Sequence, residues 1–193
     1  MTFLEATQGL VGAWRLLHFD RTGLLYFKIT TKAFWNSFWA AAVVLPADTI
    51  ATLLLTTEEA GTSVTILNAA HASLIYLEIY AIQWLLFPLV IATFAESILR
   101  SERFVLFVVA SNWSNIMSAA IILPAVAIFA KQGEDAAGWG TAIYMVATGV
   151  TLVYSWFVAR AALDAPPVAA VVVVLIQIFL AIVLWMTARA LIG

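Results

Sequence analysis

Hydrophobic residues along this chain are gathered into long blocks that polar segments separate. Five apolar stretches of roughly 20 residues or more occupy residues 33–55, 73–98, 104–130, 139–160 and 167–189. A helix rises about 1.5 Å per residue, so each stretch is long enough to cross about 30 Å of hydrocarbon. The pattern predicts an all-α fold, a polytopic membrane bundle of five transmembrane helices that fills residues 33–193.

The first 32 residues are predicted to form a separate cytoplasmic segment. The residues that recur there at helical spacing are Phe3, Thr7, Leu10, Trp14 and Leu17. This spacing predicts an amphipathic helix on the membrane surface, although Gly9 and Gly12 lower its helix propensity. Residues 20–23 have the composition of a turn. Residues 24–32 fit a strand or a helix equally well.

Composition agrees with a membrane protein. The 193 residues are 64% hydrophobic and 10% charged, whereas soluble domains average roughly 45–50% and about 25%. Nine Lys and Arg against eleven Asp and Glu give no basic excess, so no nucleic-acid partner is expected. The chain has no cysteine, which excludes disulfides, thiol catalysis and iron–sulfur clusters.

The basic residues predict the orientation of the five spans. With the N-terminus inside, seven basic residues fall on the cytoplasmic side: Arg15, Arg21, Lys28, Lys32, Arg100, Arg103 and Arg160. Lys131 and Arg189 fall outside. Because cytoplasmic loops carry the excess of Lys and Arg, we expect the N-terminus in the cytoplasm and the C-terminus in the periplasm of a bacterial inner membrane.

Two carboxylates are the first candidates for a functional site within the spans. Asp48 lies near the outer end of the first span and Glu78 near the outer start of the second, both roughly 8–10 Å below the outer surface. Charged side chains are costly at such positions, and a pair at one depth is able to share a proton or hold a cation. The alternative is that each caps a broken turn or reaches interfacial water. Glu96, four residues before Arg100, is predicted to form an interfacial ion pair.

A second candidate is a polar layer at mid-depth. Its members are Gln83, Asn112, Asn115 and Gln177, contributed by the second, third and fifth spans. Amide side chains at one level hold transmembrane helices together by hydrogen bonds, typically worth about 1 kcal/mol each. The other interpretation is a hydrophilic path for a substrate.

Prolines distinguish the first three spans from the last two. Pro46, Pro88 and Pro124 each remove one helical hydrogen bond and usually kink the helix. The asymmetry predicts a bent three-helix unit packed on a straighter hairpin. Broken helices also occur in transporter binding sites.

The chain lacks the residues of several function classes. His18 and His71 are the only histidines, both outside the hydrocarbon core, so bis-histidine haem ligation is not expected. No Walker, HExxH or GxSxG motif occurs. We therefore expect neither an enzyme nor a cofactor.

The five-span layout, N-in and C-out after an amphipathic lead-in, resembles the Yip family of integral membrane proteins. Residues 12–16 (GAWRL) and 34–38 (FWNSF), leading into Leu45-Pro46, are similar to segments of small inner-membrane proteins of alphaproteobacteria. Eukaryotic Yip members are associated with small GTPases and vesicle traffic. The resemblance implies a fold, and it carries over no catalytic residues.

Together these features predict a non-enzymatic inner-membrane protein that acts as a scaffold or an accessory subunit of a larger complex. Its expected partners are the lipid bilayer and either another membrane protein or further copies of itself. The alternative is a small transporter or channel that uses Asp48 and Glu78.

Overall fold

A computed structural model describes residues 2–56, 66–95, 103–131 and 138–192. Within these ranges the regular secondary structure is entirely helical, without strands. The helices are α1 (Phe3–Leu17), α2 (Thr31–Ser37), α3 (Trp39–Thr56), α4 (Ile66–Ala95), α5 (Phe104–Ala130), α6 (Trp139–Leu163) and α7 (Pro167–Ile192), with a short 3-10 helix at Arg21–Tyr26.

The five predicted spans are confirmed as helices long and apolar enough to cross a membrane. They are Thr31–Leu55, His71–Phe94, Phe104–Ala130, Trp139–Leu163 and Pro167–Ile192. The first contains two helices, α2 and α3, which meet at Phe38. Pro46, Pro88 and Pro124 lie inside helices that continue past them. The predicted end of the second span at residue 98 and the Glu96–Arg100 pair lie outside the described residues.

The helices pack in an order that the sequence did not predict. α5 lies between α3 and α6, α7 packs against α6, and α4 packs mainly against α7 and only slightly against α5. The prediction that the first three spans form one unit against the last two is therefore wrong. A hydropathy profile does not indicate which face of a helix is packed or which helix it packs against, because lipid and a second helix are equally apolar surroundings.

Helix α1 lies across the bundle. Its contacts are Glu5 with Asn36 of α2, Gly9 with Trp113 of α5, and Ala13 with Tyr154 of α6. The packed face is made of Gly9, Gly12, Ala13 and Leu16. Most of the stripe that predicted the helix points away from the bundle: Phe3, Thr7, Leu10 and Trp14 are exposed, which leaves them available to lipid. Its last member, Leu17, is partly buried against the core.

The two glycines that lowered the helix propensity of α1 are the points of closest approach. A methyl group at Gly9 would overlap the indole of Trp113. At Gly12 it would meet the Phe27 ring and the Gly23 carbonyl oxygen. Small residues at helix contacts let backbones come close, so the same glycines that weaken the isolated helix fasten it to the bundle.

The connection from α1 to α2 resolves the segment whose secondary structure the sequence left open. Asp20 caps the 3-10 helix by accepting a hydrogen bond from the Thr22 main-chain N–H at 2.9 Å. Its carboxylate also pairs with Arg15 at 3.3 Å. The chain is extended at Phe27, and α2 begins at Thr31 with Thr30 as its N-cap. The segment is therefore neither a strand nor one long helix.

Candidate functional site: the polar groups between the transmembrane helices

One buried hydrogen-bond cluster joins α1 to α5 and α6. The Tyr154 hydroxyl group of α6 donates to the Ala13 carbonyl oxygen at 2.7 Å and lies 2.9 Å from Ser114 Oγ of α5. Because the single phenolic proton goes to the carbonyl, Ser114 is the donor in the second bond. Tyr154 is 1% exposed, so its bonds form away from solvent and fix α1 against two spans.

A second buried pair joins α2 to α5. Asn112 Nδ2 donates to Ser37 Oγ at 2.8 Å, and Ser37 Oγ donates to the Phe34 carbonyl oxygen at 2.7 Å. Both side chains are buried. Of the predicted polar layer, Asn112 is thus the member that bonds to another side chain within the described ranges, and its bond connects two helices.

The other members of the layer line two small cavities that share Asn115. One, of about 40 Å³, is lined by Gln83, Trp84, Phe87, Pro88, Asn112 and Asn115. The other, of about 30 Å³, is lined by Phe87, Phe107, Ser111, Ser114, Asn115, Ser155, Val158, Val173 and Gln177. The structure therefore brings all four amides of the predicted layer to two adjoining cavities.

These cavities have the size and lining of water sites. A water molecule needs roughly 10–15 Å³ of cavity and two to four polar partners, so each cavity has room for at least one. Hydroxyl and amide groups of Ser111, Asn115, Ser155 and Gln177 supply the partners in one of them. In this cavity polar side chains of α5, α6 and α7 therefore line one common space.

Asp48 has a different partner from the one that the sequence suggested. Its carboxylate accepts a hydrogen bond from the Tyr76 hydroxyl group of α4 at 2.6 Å. One turn further along α4, the Tyr80 hydroxyl group donates to the Ala41 carbonyl oxygen at 2.6 Å. These two tyrosines therefore connect α4 to α3, and Asp48 is the half-buried acceptor of one of the two bonds.

Glu78 is not brought to Asp48. It follows Tyr76 by two residues, about 200° around the helix, and so lies on another face of α4. Its side chain is exposed, and it forms neither a hydrogen bond nor an ion pair with any described residue. The two acids therefore do not form a shared site in this structure.

Three tyrosines that carry these contacts, Tyr76, Tyr80 and Tyr154, were absent from the predicted site. The first two are followed by Trp84 at the same four-residue spacing, and the three rings form one row on α4. That spacing, with an acid at the same depth on the preceding span, was the available signal. For Tyr154 there was none, because its acceptor is a main-chain carbonyl oxygen of α1.

Two acids of the N-terminal segment have shifted pKa values. Hydrogen bonds from the main chain and side chain of Thr2, with the charge of Lys32, outweigh a desolvation effect and lower the pKa of Glu5. Hydrogen bonds from Thr22, with the nearby Arg15, lower the pKa of Asp20. Both carboxylates are therefore held ionised where α1 begins and where it ends.

The described residues contain no cluster of three or more His, Asp and Glu side chains able to hold a metal ion. The arrangement consists of hydrogen-bond donors and acceptors that connect helices, including the Asp48 carboxylate that accepts from the Tyr76 hydroxyl group.

Comparison with protein-family models, with curated proteins and with solved structures gives no match. The resemblance to the Yip family accordingly rests on the layout of the spans.

Proposed function

We propose that this integral membrane protein is a non-enzymatic scaffold or accessory subunit, and that α4 carries its contact with a membrane partner. The observation that supports this proposal is the exposed carboxylate of Glu78. It stands on the same outward surface of α4 as the exposed side chains of Leu74, Leu77, Ala81, Ile82 and Leu85.

A carboxylate on this surface is costly in a bilayer without a partner. Placing an ionised side chain at the centre of a transmembrane helix costs about 2.5–3.5 kcal/mol, and less towards the interface. Glu78 lies seven residues into the span that begins at His71, about 10 Å along the helix. A neighbouring helix that presents a cation or a hydrogen-bond donor would remove this cost.

The packing of α4 supports the same interpretation. Ile75, Pro88 and Ile91 are the buried apolar side chains of α4 within the described part of the chain. Its main neighbour is α7, and Tyr76 and Tyr80 hold it to α3 by their hydroxyl groups. α4 is therefore a peripheral helix, and most of its surface is available to another protein.

Site-specific crosslinking tests the proposal in native membranes. A photoreactive residue at Leu77 or Leu85 of α4 is expected to capture a partner of defined mass. The same residue at Val146 or Val150, exposed on α6, serves as the matched control and is expected to capture none. Glu78→Leu should abolish capture from Leu85, whereas Glu78→Gln should retain part of it.

Purification in a mild detergent provides the second measurement. Mass spectrometry is expected to find a stoichiometric partner or a second copy with the wild-type protein, and less of it with Glu78→Leu. A solitary monomer that also gives no crosslink from α4 contradicts the proposal.

A small transporter or channel is the second candidate, and Asp48 is the observation that favours it. A carboxylate half-buried two residues after Pro46, with a phenol as its partner, is able to exchange a proton or bind a cation. This hypothesis predicts that Asp48→Asn abolishes solute or ion flux in proteoliposomes, while Tyr144→Phe on α6 leaves it unchanged. Wild-type vesicles without flux for a broad panel of solutes contradict it.

We further propose a bacterial inner membrane as the location, with the N-terminus in the cytoplasm. Lys32 is the second residue of the first span, Arg103 precedes α5 and Arg160 lies in the last turn of α6, so all three are at one end of the bundle. Lys131 and Arg189 are at the opposite end. The excess of basic residues at the first end supports a cytoplasmic position for it.

A further inference from the structure

An apolar groove runs along the outer surface of the hairpin between α6 and α7. It has a volume of about 280 Å³, near the lower end of ligand pockets, and its walls are Leu152, Val153, Trp156, Val171, Val174 and Leu175. Val153 and Leu175 are 50% and 57% exposed, so the groove is open at the surface of the spans. No polar side chain belongs to its lining.

One end of the groove is closed by a fixed aromatic ring. The indole N–H group of Trp156 donates to the Pro167 carbonyl oxygen at 3.1 Å, which holds the ring across the hairpin. Pro167 is the first residue of α7, so this end of the groove is the end nearest the turn between the helices.

A cation stands directly beyond that ring. The guanidinium carbon of Arg160, one turn further along α6, lies 5.3 Å from the centre of the Trp156 ring. The Arg160 side chain forms no ion pair or hydrogen bond with the described residues. Asp164 follows after one more turn and has a contact of its own. The order along the surface is apolar groove, aromatic ring, cation.

We infer that this groove binds one anionic phospholipid, with an acyl chain between α6 and α7 and the phosphate group on Arg160. The order of the side chains matches the order of the ligand, because the hydrocarbon lies deep and the phosphate lies at the interface. A guanidinium group offers paired donors that fit a phosphate. A transmembrane helix of another protein would fill the groove equally well, but it has no reason to place an anion at Arg160.

Competition between two lipids tests the inference. Purified protein in detergent is mixed with equal amounts of phosphatidylglycerol and phosphatidylcholine, and native mass spectrometry measures which remains bound. We expect one phosphatidylglycerol to be retained with about fivefold preference, since a cation near an anionic lipid surface is worth about 1 kcal/mol. Arg160→Gln should reduce the preference to about one, and Arg160→Lys should keep much of it.

Two matched controls separate the headgroup from the chain. The guanidinium carbon of Arg189 lies 5.0 Å from the centre of the Trp185 ring, and neither residue belongs to the groove. Arg189→Gln is therefore expected to leave the preference unchanged. Val153→Trp fills the groove and should lower retention of both lipids, whereas Val172→Trp, on a neighbouring exposed position of α7, should not.

Three results would overturn the inference. The first is equal retention of the two lipids by the wild-type protein. The second is a preference that persists undiminished in Arg160→Gln. The third is an oligomer that is lost in Val153→Trp while lipid retention stays the same, which would assign the groove to a protein partner.

Discussion

Gly9 of α1 lies against the indole ring of Trp113 of α5 with no room for a methyl group between them. Trp113 is 5% exposed, so its ring has little freedom to move aside. The contact places the N-terminal helix in the packed core of the bundle.

We expect Gly9→Ala to destabilise the protein by about 1–3 kcal/mol, the usual cost of overpacking. Helix propensity alone predicts the opposite sign, because alanine in a helix is favoured over glycine by about 1 kcal/mol. Thermal unfolding in detergent, followed by circular dichroism, measures the difference.

Gly149 of α6 is the matched control for this substitution. A methyl group there meets no atom within 4 Å, so Gly149→Ala should be neutral or stabilising by up to about 1 kcal/mol. Equal effects at the two glycines would mean that α1 is not packed on Trp113.

Tyr154→Phe removes a buried hydroxyl group while the ring remains. The change leaves the Ala13 carbonyl oxygen and the Ser114 hydroxyl group without their partner, and buried groups left unpaired cost about 1–3 kcal/mol. The expected loss of stability is in that range, with faster hydrogen exchange in α1 than in α7. Tyr144→Phe is the control, since Tyr144 contacts Phe129 by its ring; a loss as large there would contradict the assignment.

The sequence predicted the positions of the spans well, but it did not predict which faces of the spans pack against which neighbours. Blocks of some twenty apolar residues identify a span, and the bounds of α5 at Phe104 and Ala130 agree with the predicted 104–130. Which face of a span meets a neighbour depends on side chains far away in the chain. Tyr76 and Tyr80 set the rotation of α4 about its axis by their contacts with α3. That rotation places Glu78 on the exposed surface of the bundle.

The polar residues show the same division. Depth was readable from position along each span, so Gln83, Asn115 and Gln177 were predicted at a common level, and the structure brings them to adjoining cavities. Partners were not readable, because Asn112 bonds to a serine 75 residues away.

Acid should loosen α1 from the bundle. The pKa values of Glu5 and Asp20 are lowered in the folded protein, so their contribution to stability is present above their unfolded pKa values and disappears as the pH falls through the folded ones. We expect α1 to exchange amide hydrogen faster below about pH 4.5, the ordinary pKa of Glu. Glu5→Gln, which keeps an oxygen to accept from Asn36 and Thr2, should weaken this pH dependence; an unchanged profile would exclude Glu5 as its source.

Reporter fusions test the orientation. The distribution of basic residues predicts that a reporter active only in the periplasm will function after residue 193 and will not function before residue 1. A more stringent test of the orientation shifts positive charge from one side of the membrane to the other. Arg100 and Arg103 are suited to it because they lie in one short connection on the predicted inner side. Replacing both by Gln, as well as adding two Lys after Lys131, should produce a fraction of inverted molecules. The same two Lys added beside Arg160 should leave the orientation unchanged, and a reporter active in the cytoplasm after residue 193 of the wild-type chain would contradict the orientation.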